Sequence, residues 1–142
     1  MSEYFLDSGW KSIRHAGEEL CGDHVDVIND HQGNLTAVVA DGLGSGVRAS
    51  ILSTLTSKII STMIAEGLPL KECVSTIAST LPVMKDKNVA YSTFTILHVS
   101  NGNTLHMVQY DNPSVILIRD GEIYDYAKQE LQMEGKKIYS SE

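Results

Sequence analysis

The chain has 142 residues, 42% of them hydrophobic and 20% charged, with a formal net charge of −7. That is the size and composition of one ordinary globular domain able to bury a single core, and the acidity argues against binding nucleic acid or an anionic membrane, which needs a basic face. No apolar run approaches the ~18–20 residues of a membrane helix, the start Met1-Ser2-Glu3-Tyr4 lacks signal-peptide features, and Cys21 and Cys73 stand apart without metal-type spacing, so reduced thiols and a cytoplasmic location are expected.

The acids are concentrated early. Residues 1–43 hold Glu3, Asp7, Glu18, Glu19, Asp23, Asp26, Asp30 and Asp41 against Lys11 and Arg14. A solvated acidic face explains this, and so does a site for divalent cations. Residues 24–30 alternate as a strand, and residues 35–41 are small, apolar and β-branched, as a buried strand should be. The turn cluster His31-Gln32-Gly33-Asn34 joins them into a β-hairpin. With the turn centred on Gln32-Gly33, Asp41 faces His24 and Asp23 is the next neighbour. A one-residue change in turn length sets Asp23 directly opposite Asp41.

A long helix is expected from about Gly44 to Ala65. Its apolar stripe would be Leu52, Leu55, Ile59 and Met63, widened by Ile51, Ile60 and Ile64. Gly67 and Pro69 end it. Leu70–Leu81 reads as a second helix with Val74, Ile77, Ala78 and Leu81 on one face. Strands follow over 89–100 and from Asn103 to about Tyr110, joined at Asn101-Gly102, a pair suited to the positive φ of a type I′ turn. Ser114–Arg119 and Glu122–Tyr126 flank a further turn at Asp120-Gly121. Hairpin, two helices and antiparallel meander make an α+β chain, not alternating βαβ units.

Two carboxylates at cross-strand distance, about 5 Å between Cβ atoms, repel and resist ionising. A hard divalent cation with oxygen ligands relieves this. The alternative is that the two acids splay into solvent. Gly42, Gly44 and Gly46 leave backbone uncovered for a close ligand. They do not make a dinucleotide fingerprint, because a hairpin precedes them and no βαβ unit follows.

Gly22-Asp23, the hairpin, and the run Val38-Val39-Ala40-Asp41-Gly42-Leu43-Gly44-Ser45-Gly46 resemble the SpoIIE branch of the metal-dependent, protein phosphatase 2C-like phosphatases. Tyr91-Ser92-Thr93-Phe94-Thr95-Ile96 and the segment from Asn112-Pro113-Ser114 to Asp120-Gly121 resemble it too, in the same order, so that the likeness runs through nearly the whole of 1–142. The resemblance implies an antiparallel β-sandwich flanked by helices, incomplete at the C-terminus. It implies a two-metal Mn²⁺ or Mg²⁺ site, with Asp41 bridging the metals and Asp23 and the Gly42 carbonyl helping to hold one of them. The implied reaction is hydrolysis of phosphoserine or phosphothreonine on a regulatory protein, such as an anti-sigma factor antagonist.

Two further metal aspartates of the family find no match here. The sequence ends at Tyr139-Ser140-Ser141-Glu142, about where the resemblance places the next strand, so closing strands are expected to be missing. A weak or inactive fragment with an incomplete metal site is the expectation, together with self-association through an exposed sheet edge. The alternative function is a non-catalytic regulatory or protein-interaction module of the same fold. Arg14 is weighed as a phosphate contact, and Arg48 as a residue facing the cleft against a plain surface role. His24 is read as a solvent-facing neighbour of the acid pair, and His98 and His106 as surface cross-strand partners.

Overall fold

A computed structural model describes residues 5–13, 16–17, 22–29, 33–42, 46–80, 83–84, 89–90, 92–133 and 136–142. The expected hairpin is β1 (Asp23–Asn29) and β2 (Leu35–Gly42), followed by α1 (Gly46–Ala65) and α2 (Leu70–Thr80). After the short strands β3 (Val83–Met84) and β4 (Val89–Ala90) come β5 (Ser92–Ser100) and β6 (Thr104–Tyr110). The chain closes with β7 (Leu117–Arg119), β8 (Glu122–Tyr124), β9 (Gln129–Met133) and β10 (Lys136–Ser141).

Six strands form one antiparallel sheet in the order β1-β2-β5-β6-β10-β9, while β3-β4 and β7-β8 are separate two-stranded hairpins. The fold is α+β, as expected. Of the two sheets implied by the resemblance, the described residues build one large sheet, and β7-β8 stands apart from it. Its turn and that of β5-β6 have the positive φ that Asn-Gly and Asp-Gly supply: Asn101 56°, Gly102 68°, Asp120 53°, Gly121 80°.

Register partners share a sheet face, and successive residues alternate. On one face Val38 pairs with Ile96 and Ile96 with Val108, while Ala40 pairs with Phe94 and Phe94 with Tyr110. Most of these join Ile138 and the helix residues Ile60, Val74, Ile77 and Ala78 in the core. Burying Phe94 completely contributes about 1.5–3 kcal/mol over leaving it exposed. Both helices therefore lie on this face. The other face of the β1-β2-β5 half carries Val25, Val27, Ala37, Val39 and Leu97, which are half-buried or exposed.

Helix α1 turns only part of its expected stripe inward: Ile60 is in the core and Ile59 and Ile64 pack against it. Ile51 and Leu55 are each 53% exposed, whereas Ala49, Ser53, Thr56, Ser57, Ile60 and Ser61 are buried. The hydroxyls are satisfied locally: Ser53, Thr56, Ser57 and Ser61 donate to the carbonyls of Ser50, Leu52, Thr54 and Lys58. Small side chains let the helix come close to the sheet, so close contact, and not apolar periodicity, selects the buried face. Lys58 and Ser61 also bond the Asp26 carboxylate at 3.2 and 2.9 Å, tying α1 to β1.

The end of α1 follows its sequence signal. Gly67 has φ +87°, with Gly67 N–H donating to Ile64 O and Leu68 N–H to Met63 O, a Schellman closure. Helix α2 buries Cys73, Val74, Ile77 and Ala78; Leu81 lies outside the described residues. Residues 129–133 and 136–141 are strands not assigned from the sequence. They form β9 and β10, and β10 adds to β6 through Tyr139↔Gln109 and Ser141↔Met107. The sequence signal there is weak because Leu131 and Ile138 are the main apolar residues turned to the core. The sheet's edge strands are β1 and β9. Among the described residues no helix is long and apolar enough to cross a membrane.

Candidate active site

Strands β1 and β2 end together, and their register sets Asp23 opposite Asp41. This is the second of the two alternatives left open by turn length. The tie from Asp26 to α1 fixes which face β1 presents. A one-residue slip would turn Asp26 away from Lys58 and Ser61 and bring Val25 and Val27 toward them. Both acids lie on the sheet face opposite the helices.

The two carboxyls interact directly. Asp41 is pushed up to about 6, first by partial burial, then by a hydrogen bond with Asp23 and by its charge. Asp41 still reaches solvent, so water screens the repulsion. A raised carboxyl favours the neutral form in the folded state. The stability it contributes is therefore full below about 4 and is lost as pH rises through about 6. In Asp23→Asn the Asp41 midpoint is expected to fall below 6 while burial keeps it above 3.8. A carbon-detected NMR titration of the carboxyls checks this; an unchanged midpoint would mean the pairing contributes nothing.

The row continues onto β5, where Asp41 pairs with Thr93 and Gly42 with Ser92. The Ser92 hydroxyl donates to the Asp41 carbonyl at 3.2 Å. Thr93 donates to the Asn112 side-chain oxygen. The Asn112 amide donates to Thr95 Oγ1 at 3.0 Å and to the Val39 carbonyl at 3.4 Å. Asn112 thus bridges β2 and β5 one rung from the acid pair. Gln109 braces the segment after it, accepting from Val115 N–H at 2.8 Å and donating to Tyr126 Oη at 3.2 Å. Thr93 and Asn112 fall within the motifs quoted above, but the sequence alone assigned neither to the site. The signal for Thr93 was a polar residue at an alternate position of a strand whose other residues, Phe94 and Ile96, point to the core.

Gly42 is required by packing. A Cβ there would lie 2.0 Å from the Ala49 carbonyl oxygen of α1. Its N–H donates to the Gly22 carbonyl at 2.9 Å, extending the β1-β2 ladder past Asp23.

Several sequence expectations move. His24 is next to Asp23 in sequence but turns to the helix face, half-buried, with Nδ1 3.5 Å from Thr54 Oγ1, so it is neither solvent-facing nor beside the acids. His98 and His106 do pair across β5 and β6, but half-buried beneath the helices and not on the open surface. Arg48 is exposed in the first turn of α1. Arg14, Cys21, Leu43, Gly44 and Ser45 lie outside the described residues.

Two facing carboxylates offer only hard oxygen donors, and a divalent cation would relieve their repulsion. The pair fits one such ion. Among the described residues no group of three His, Cys, Asp or Glu side chains is placed to hold a metal.

The family model of stage II sporulation protein E (SpoIIE) matches residues 31–134, well over half of the chain. The chain belongs to the SpoIIE family. Solved structures agree on the fold. The phosphatase domain, with a fragment of the regulatory domain, of the cell fate determinant SpoIIE from Bacillus subtilis superposes with a TM-score of 0.76 at 20% identity, covering 87% of this chain and 37% of that one. RsbX in complex with magnesium gives 0.57 at 24% identity, over 72% of this chain and 48% of that one. The RsbU and RsbW domains of Rv1364c from Mycobacterium tuberculosis give 0.54 at 17% identity, over 71% and 28%. This SpoIIE-family chain thus spans half or less of each of these three. No curated protein matches it. The fold is that of the protein phosphatase 2C-like enzymes.

Proposed function

We propose that this SpoIIE-family chain carries the first part of a metal-dependent protein serine/threonine phosphatase site, built on Asp23 and Asp41. The observation that carries the reading is their direct cross-strand pairing at the end of the sheet in a chain of this family. Asp41, with Asp23 beside it, is the anchor for a divalent ion, Mn²⁺ or Mg²⁺, and the Gly42 carbonyl adds a third oxygen. A bound ion of this kind supplies Lewis acidity and activates water for attack on a phosphoester. The chain's own residues hold and orient. Thr93 and Asn112 fix β5 beside Asp41, and Gly42 lets α1 close over the strand end.

The substrate class is a phosphoserine or phosphothreonine on a regulatory protein, in keeping with the RsbX and RsbU–RsbW structures that share the fold. An anti-sigma factor antagonist is the specific candidate. Residues 1–142 are read as belonging to one phosphatase domain. Two carboxylates make at most part of a binuclear cage, which favours a weak metal site in the isolated chain. The same observation supports a second reading, a regulatory module of phosphatase fold without activity.

Calorimetric titration with Mn²⁺ separates the two. The phosphatase reading expects heat of binding that disappears in Asp23→Ala. Binding that is absent, or unchanged in the variant, supports the regulatory module instead.

A further inference from the structure

The far end of the sheet, on the helix side, holds a feature the phosphatase reading does not use. A cavity of about 420 Å³ opens beneath the α1–α2 turn, lined by Ile64, Leu68, Leu70, Thr36 and His98. Its volume falls within the roughly 300–1,000 Å³ of small-molecule sites. A second cavity of about 270 Å³ lies next to it, lined by His106, Lys71, Val74 and Leu131, and shares Leu70 as a wall. The two imidazoles, one in each lining, have ring centroids 6.2 Å apart. His98 Nδ1 is 2.8 Å from Thr36 Oγ1, which fixes the ring and leaves Nε2 as its other polar atom.

We propose that these adjoining cavities form a binding site for a small monocarboxylate with an apolar tail. The tail lies against Ile64, Leu68 and Leu70, and the carboxylate sits between His98 and His106. The Glu142 carboxylate lies 3.8 Å from His106 Nδ1 and is mostly exposed, so a ligand carboxylate can take its place at small cost.

Binding is coupled to protons. Burial, and then His106, hold the His98 imidazole below its ordinary value, so the ring is neutral near pH 7. The titratable groups facing it are His106 from β6, and, beyond that ring, Lys71 from α2 and Glu142 from the end of β10. Among the described lining residues of the α1–α2 turn, Gly67, Leu68 and Pro69 carry no charge. A carboxylate beside the His98 ring favours its charged form and draws a proton onto it.

Octanoate is the probe, with 1-octanol as its uncharged counterpart, titrated by calorimetry at pH 6 and pH 8 in buffers of different ionisation enthalpy. The expected result is octanoate binding that tightens by up to about tenfold per pH unit on acidification, with net proton uptake. Octanol should bind more weakly and without pH dependence. His98→Gln and His106→Gln should flatten the octanoate profile. In the unaltered protein, the imidazole NMR signals of both histidines should shift on octanoate addition, a reading that survives if a variant fails to fold. Equal binding of octanoate and octanol, no heat at millimolar octanoate, or unmoved imidazole signals would overturn the proposal.

Discussion

Gly42→Ala is expected to cost about 3 kcal/mol or more of folding stability, lowering the melting temperature by about 6–12 °C. The added Cβ would sit 2.0 Å from the Ala49 carbonyl oxygen and 2.6 Å from its carbonyl carbon. Both are backbone atoms of α1, so no rotamer change relieves the overlap. Either the helix backs away from β2 or the strand end bends. Each response disturbs the ladder that places Asp41 opposite Asp23. Gly9→Ala is the matched control. Nothing lies within 4 Å of a Cβ there, and the change should stay within about 0.5 kcal/mol. Urea denaturation of the two variants checks the contrast. Equal stabilities would show that α1 does not press on Gly42 in solution.

On the phosphatase reading proposed above, Asp41→Asn is expected to lower manganese-dependent hydrolysis of a phosphoserine peptide at least about 1,000-fold, roughly 4 kcal/mol of transition-state stabilisation. Asparagine keeps the shape of the side chain and removes the charge a divalent ion needs. The fold should be retained, because the substitution also removes the repulsion from Asp23 that pushes the Asp41 carboxyl up. Stability near pH 7 should therefore hold steady or rise while activity falls. Steady-state kinetics with Mn²⁺, alongside thermal unfolding of the same preparation, give both readings. An Asp41→Asn protein with full activity would remove Asp41 from the chemistry.

Much of this protein is legible in its residues. The β1-β2 hairpin, both helices, the Asn101-Gly102 and Asp120-Gly121 turns and the end of α1 at Gly67 all follow from local rules. Backbone sterics decide them within a few residues, so no long-range contact is needed to read them. The acid pair was legible only up to a one-residue choice of register, because the length of the turn at 30–34 admits two pairings.

Tertiary contacts decided the rest. The Asp26 bonds to Lys58 and Ser61 select the register that sets Asp23 against Asp41. Close approach of α1 to the sheet shifts its expected buried face, since Ser53, Ser57 and Ser61 fit beside Ile60 where Ile51 and Leu55 do not. Strands β9 and β10 lacked a strong signal because they are held mainly by pairing with β6 and with each other. Sidedness was hidden for a similar reason. The sequence by itself determined that two carboxylates stand at adjacent strand ends, in the motif order of the SpoIIE family. Only the tertiary structure decided that they face away from the helices, with Thr93 and Asn112 beside them and His24 turned to the other side. A strand's alternation separates its two faces, but which face meets the helices is set by packing among elements far apart in the chain.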